Sequence, residues 1–215
     1  MVERHVHIFY EKGFSHKPNH NGGGGGTGKC YAFMSGGIKW KTTEPYVLDT
    51  TNGDGLSEEF VASSTEAGLN AWDDQVAFDI FGSRDIVSIV DGADTQSPDG
   101  KNEIFFGSIE DPGVIAVTIV WRTLVGKTIV EYDMIFDDPD FTWGDAGPTD
   151  ETGLGNTSVM DYQNVATHEI GHAAGLAHPS DSCTEETMYR FAQAGETKKR
   201  TLNTGDIAGI KALYK

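Results

Sequence analysis

The chain has 215 residues, enough for one domain with its own apolar core. Its formal net charge is -17, with 16 Lys and Arg against 33 Asp and Glu. Such a surface repels phosphate backbones, so no nucleic-acid partner is expected, and it suits cations better. No apolar run approaches the ~20 residues that cross a bilayer, so no membrane span is expected. Two cysteines are too few for a disulfide-built scaffold or a cysteine-based zinc finger.

Residues 1–20 hold four of the seven histidines (His5, His7, His16, His20) and carry a charge of +1. No basic segment followed by an apolar stretch opens the chain, so no leader is visible. Five consecutive glycines fill positions 22–26, a composition that suits neither a helix nor a strand interior. Residues 1–28 therefore read as an N-terminal appendage and linker, with residues 29–215 as the globular domain. The alternation over His5 to Tyr10 permits an edge strand.

Short strands are predicted at Ile38–Trp40 and Tyr46–Leu48. Ser57 is a good N-cap for a helix running to Asp73, with Glu58 and Glu59 favourable in its first turn. Strands follow at Ile86–Val90, Glu103–Phe106, Ile115–Trp121 and Ile129–Phe136. The last alternates cleanly, with Val130, Tyr132, Met134 and Phe136 on one face and Glu131 and Asp133 on the other. An acidic loop covers 137–157. A second helix is predicted over 161–175 and a third over 204–214. This order gives an α+β fold with a mixed sheet of α/β type.

The informative stretch is His168-Glu169-Ile170-Gly171-His172-Ala173-Ala174-Gly175-Leu176-Ala177-His178. Residues four apart share a helix face, so His168 and His172 can hold one metal ion side by side. Gly175 can take the left-handed conformation that ends a helix. The chain then turns back, and His178 supplies a third nitrogen. Three imidazoles leave one tetrahedral position of zinc for water, the open pattern of a catalytic site. Glu169 projects beside the pair and can act as general base on that water. Peptide-bond hydrolysis is the chemistry this suits. A helix whose histidines make ordinary hydrogen bonds is the blander reading.

This stretch resembles the metzincin signature H-E-x-x-H-x-x-G-x-x-H, which is followed by a methionine turn. Thr187-Met188-Tyr189 stands where that turn belongs, and the resemblance makes Met188 the apolar base under the metal. Residues 206–214 resemble the closing helix of matrixins, and 113–116 and 133–136 the strands before their zinc helix. Pro179 after the third histidine resembles serralysins, but Arg190 stands where those enzymes carry a zinc-binding tyrosine. The matrixin branch fits better. The resemblance implies a catalytic domain with a twisted, mixed five-stranded sheet, a zinc helix, and a small irregular lower part from about 179. It implies a secreted, monomeric zinc endopeptidase acting on extended protein or peptide substrates. Substrate would lie along an edge strand, for which residues 114–121 are the candidate. Arg190 replaces a proline of the matrixin specificity pocket, so pocket preference does not carry over. No histidine lies between His20 and His168, so a single zinc is expected.

Residues 128–189 contain thirteen Asp and Glu and no Lys or Arg. Asp137, Asp138, Asp140 and Asp145 are calcium candidates, since such loops hold calcium in the family; a solvated acidic face is the alternative. The stretch from Asp91 to Glu103 is a second candidate. Cys30 and Cys183 are read as a disulfide, with a zinc-blocking Cys30 or two free thiols as alternatives. Asn156-Thr157-Ser158 fits a glycosylation acceptor. A non-catalytic metal-dependent binding module is the rival function, and residues 1–28 could act as an inhibitory segment.

Overall fold

A computed structural model describes residues 1–14 and 29–215. The glycine run, His16 and His20 lie outside the described residues. Seven strands form the main sheet: β1 (Val2–Glu11), β2 (Glu44–Leu48), β3 (Phe81–Arg84), β4 (Glu103–Gly107), β5 (Val114–Thr123), β6 (Ile129–Asp137) and β7 (Phe191–Ala192). Their spatial order is β7-β1-β5-β6-β4-β2-β3. The strands from β6 to β3 are mutually parallel, and β5 runs antiparallel to both β6 and β1. The five-stranded sheet expected from the resemblance is thus present as β2 to β6, and two further strands extend it beyond β5.

Helices α1 (Glu58–Asp73) and α2 (Tyr162–Ala173) pack together on one face of this sheet; α3 (Thr204–Leu213) closes the chain. Ser57 caps α1 by accepting the Phe60 N–H, as its position in the sequence suggests. On one face of β6, Tyr132, Met134 and Phe136 are buried in the core and Val130 is half-buried. Trp72 of α1 is fully buried and donates its indole N–H to the Thr167 carbonyl at 2.8 Å. That bond fixes α1 against α2 and satisfies the one polar atom of a large core side chain.

Two expected strands are absent. Ile86 to Val90 leaves the sheet, and Ile86, Val87 and Ile89 are exposed. The Asp85 carboxylate accepts the N–H groups of Val87 and Ser88, so a local turn replaces strand pairing. Phe81–Arg84 pairs with β2 instead. Ile38–Trp40 contributes only a bridge from Lys39 to Thr128. Trp40 there turns inward and donates its indole N–H to the Ala173 carbonyl at 2.8 Å.

The first eleven residues are not peripheral. β1 pairs with β5 from Val2 opposite Thr123 to Tyr10 opposite Val114, and its end runs parallel to β7. Residues 114–121, expected at a free edge, are therefore paired on both sides.

Candidate metal centre

α2 begins at Asp161, whose carboxylate accepts the Asn164 N–H and pairs with Arg200. Every residue of α2 but Gln163 is buried. The helix ends at Ala173, and Gly175 follows with φ +104°. A Cβ there would come within 2.3 Å of the Ile38 carbonyl oxygen, so both conformation and space require glycine. The chain reverses at this point and returns His178 to the helix face.

The three imidazoles converge. The Nε2 atoms of His168 and His178 are 3.2 Å apart, and those of His172 and His178 3.0 Å. His168 Nδ1 lies 2.6 Å from the Thr187 carbonyl oxygen, and His172 Nδ1 lies 2.8 Å from the Leu176 carbonyl oxygen. A carbonyl only accepts, so each Nδ1 carries the proton and each Nε2 presents a lone pair. Burial pushes both imidazoles well below their ordinary pKa, which keeps them neutral. The lone pairs of His168 and His172 both face Nε2 of His178 at this range. Zinc–nitrogen bonds of about 2.0–2.1 Å in a tetrahedron place ligand nitrogens about 3.3 Å apart. The donor set therefore fits a zinc ion.

Glu169 is buried on the sheet side of α2. Its Oε2 accepts from the Thr118 hydroxyl of β5, and its Oε1 is buried without a partner. Burial raises its carboxyl to about 8, with the Thr118 hydroxyl opposing the rise. A dication at the three nitrogens would act in the opposite sense.

Met188 lies beneath this helix. A Cβ on Gly171 would come within 2.2 Å of the Met188 sulfur. Asp206 of α3 holds the turn: its carboxylate accepts the Thr187 N–H at 2.6 Å and the Met188 N–H at 3.1 Å. The Thr187 carbonyl in turn orients His168. Cys30 and Cys183 are joined in a disulfide, tying the start of the domain to the segment after His178. Thr118 and Asp206 escaped the sequence reading, because only tertiary packing brings them to the site.

β1 crosses the centre. Phe9 is fully buried and stacks on His168, with ring centroids 3.8 Å apart. The His7 ring stacks on His172 at 4.3 Å. The ammonium of Lys199, itself buried and paired with Glu196, lies 5.6 Å from the Phe9 ring.

The profile of the matrixin family matches residues 5–215. The chain belongs to the matrixin family. Metalloendoproteinase 1-MMP of Arabidopsis thaliana is 28% identical over 187 residues, 86% of this matrixin and 46% of the plant protein. Metalloendoproteinase 2-MMP of the same plant is 39% identical over 77 residues, 36% of the chain and 19% of the relative. Matrilysin of Felis catus is 38% identical over 77 residues, 36% of the chain and 25% of the relative. The chain spans less than half the length of these relatives. The mixed sheet with three helices is the fold of a matrixin catalytic domain. No helix among the described residues is long and apolar enough to cross a membrane.

The acidic calcium candidates do not gather three carboxylates at one point among the described residues. Asp145 pairs with Arg200, Asp138 accepts the Gly53 N–H, and Asp137 accepts the Ile109 N–H. The carboxylates that do converge are Asp94, Asp99 and Glu131, with oxygens within 4.8 Å of one another. Glu131 is fully buried beneath the 85–102 loop, and its Oε1 and the Asp94 Oδ2 have no partner. Glu103 and Asp133 are buried alongside. Lys101 pairs with Asp91, Asp99 and Glu103. Burial raises Glu131 to about 8 and Asp133 to about 7.

Proposed function

We propose that this matrixin is a zinc endopeptidase that hydrolyses peptide bonds of extended protein or peptide substrates. The observation that carries the reading is the convergence of three imidazoles with a buried carboxylate beside them. His168, His172 and His178 would hold one zinc through Nε2. Bound zinc supplies Lewis acidity and lowers the pKa of a water ligand from 15.7 toward about 7. Glu169 takes a proton at Oε1, the oxygen that Thr118 leaves free, and returns it to the leaving nitrogen. Thr118 holds the other oxygen and so aims the carboxylate. Asp206 and Met188 keep the floor of the site in place from below.

A non-catalytic binding module needs the three imidazoles but not a buried, half-satisfied carboxylate at their side. Leaving such an oxygen unpaired costs about 1–3 kcal/mol, a burden that function explains and folding does not. A disulfide suits work outside the cell, which belongs to the same reading. Calcium, on this account, binds at Asp94, Asp99 and Glu131 and not in the 137–145 loop. Three hard oxygens gathered around a buried carboxylate suit that ion.

The test is digestion of a mixed peptide library, read by mass spectrometry, beside a Glu169→Ala control loaded with zinc. Cleavage lost in the control supports the reading. Cleavage that persists undiminished in the control would overturn it.

A further inference from the structure

β5 is the strand to which an extended peptide would add if the chain is a peptidase, because Thr118 on it touches Glu169. That edge is already taken by the chain itself. β1 matches β5 along nearly its whole length, with His7 opposite Thr118 and Phe9 opposite Ala116. Directly opposed residues share a sheet face, so His7 and Phe9 point the same way as Thr118, toward α2. Both rings land on metal-centre imidazoles, Phe9 on His168 and His7 on His172.

The other wall of the groove is engaged as well. The Tyr10 N–H donates to the Arg190 carbonyl and the Lys12 N–H to the Ala192 carbonyl, at 3.3 and 2.7 Å. Phe9 sits between these walls, fully buried against His168 and near the Lys199 ammonium. Main-chain pairing on two sides with a single anchoring side chain in a pocket is how a groove of this kind would hold a peptide. The N-terminal half pairs with β5 alone, from Val2 opposite Thr123 to Val6 opposite Ile119, with side-chain ties from Arg122 to Glu3 and His5, from Ser35 to His5, and from Arg4 to the Thr95 carbonyl. Cys30 is committed to the disulfide, so no thiol of the chain takes part.

We propose that residues 2–11 are a built-in competitive ligand of the substrate groove, which keeps the chain latent until β1 is displaced or cut away. The proposal rests on the peptidase reading for what is inhibited, but the pairing of β1 with the groove is testable without any turnover. It also gives a first description of what the groove accepts: an extended strand with an aromatic ring beside His168.

The experiment uses the full chain with a recognition sequence for a site-specific protease inserted between Gly24 and Gly25. The nicked, zinc-loaded protein is diluted and washed, and hydrogen exchange is read over 114–121 and over α2. A fluorescent peptide of residues 2–11 then reports binding by anisotropy. The expected result is release of the strand, faster exchange confined to 114–121, and binding of the peptide to the nicked chain but not the intact one. kcat/KM on the library rises about tenfold or more, the factor by which the open fraction grows. Adding the peptide back raises KM and leaves kcat unchanged. Without nicking, Phe9→Ala gives a rise in the same direction, whereas Val6→Ala, at a half-exposed position facing away, gives none.

Exchange that spreads through α2 once β1 leaves would make β1 a structural strand and overturn the proposal. So would unchanged kcat/KM with the groove shown open, or a freed groove that does not bind the peptide. A nicked chain that binds the peptide and cleaves nothing would uphold the ligand role of β1 and contradict the peptidase reading instead.

Discussion

Gly171→Ala tests the packing under the metal centre. Helix propensity alone favours the change by about 1 kcal/mol, since glycine is a poor helix former. The structure says otherwise. The new Cβ would lie 2.2 Å from the Met188 sulfur and 2.7 Å from Cζ2 of Trp72. Methionine can swing aside, but the Trp72 ring is held by its bond to the Thr167 carbonyl. Overpacking of a tight core costs about 1–3 kcal/mol, and the steric conflict here belongs at the upper end. The net expectation is a loss of about 1–2 kcal/mol, with the thermal midpoint falling roughly 2–4 °C per kcal/mol for a chain of this size. Urea unfolding of parent, Gly171→Ala, Met188→Ala and the double variant measures it. Met188→Ala alone costs about 2–5 kcal/mol, and the double variant should be more stable than the sum of the singles by about 0.5–3 kcal/mol. Zinc affinity, read by chelator competition, should fall in Gly171→Ala and recover in the double variant. A neutral or stabilising Gly171→Ala, or strict additivity, would refute this description of the floor.

Three further outcomes are expected. Asp206→Asn loses one of the carboxylate's paired acceptors for Thr187 and Met188, loosens the carbonyl that orients His168, and weakens zinc binding about 10–100-fold in a chelator titration. The Cys30→Ser and Cys183→Ser pair lowers unfolding free energy by about 2–5 kcal/mol, measured against denaturant. Calcium raises the thermal midpoint, and Glu131→Gln removes most of that response while stabilising the chelator-treated protein. The pH dependence has a definite sign. The folded pKa values of Glu131 and Asp133 lie above the unfolded ones, so without cation the stability contributed by this pair is full below about 4 and is lost as pH rises toward 7–8. Asp91, Asp94, Asp99, Glu103 and Lys101 face this pair and belong in any fit. Midpoints measured from pH 4 to 8, with and without calcium, check both points, and a calcium-independent curve would contradict the site.

The convergence of the three imidazoles was legible because its geometry is local. The spacing of His168 and His172 needs only the helix period, and Gly175 needs only a left-handed turn to return His178. The caps at Ser57 and the alternation of β6 are local in the same way. What escaped was set by contacts far apart in sequence. Thr118 and Asp206 reach the site from β5 and α3, and nothing near them in the chain announces it. Ile86 to Val90 has strand composition, yet Asp85 turns the backbone out of the sheet before pairing begins. Glu131 and Asp133 read as an outward face, but the 85–102 loop folds over them. The first residues read as an appendage because of the glycines that follow. Their alternation, which permits a strand, is what places His7 and Phe9 on one face of β1.

On the proposed function, three histidines hold a zinc ion that Glu169 puts to hydrolytic use. The most direct test measures zinc content and peptide cleavage on the same samples, with the N-terminal strand nicked and removed. The account predicts one zinc per parent chain with cleavage, one zinc without cleavage in Glu169→Ala, and neither in His168→Ala. Cleavage that persists without zinc, or survives the loss of Glu169, would contradict it.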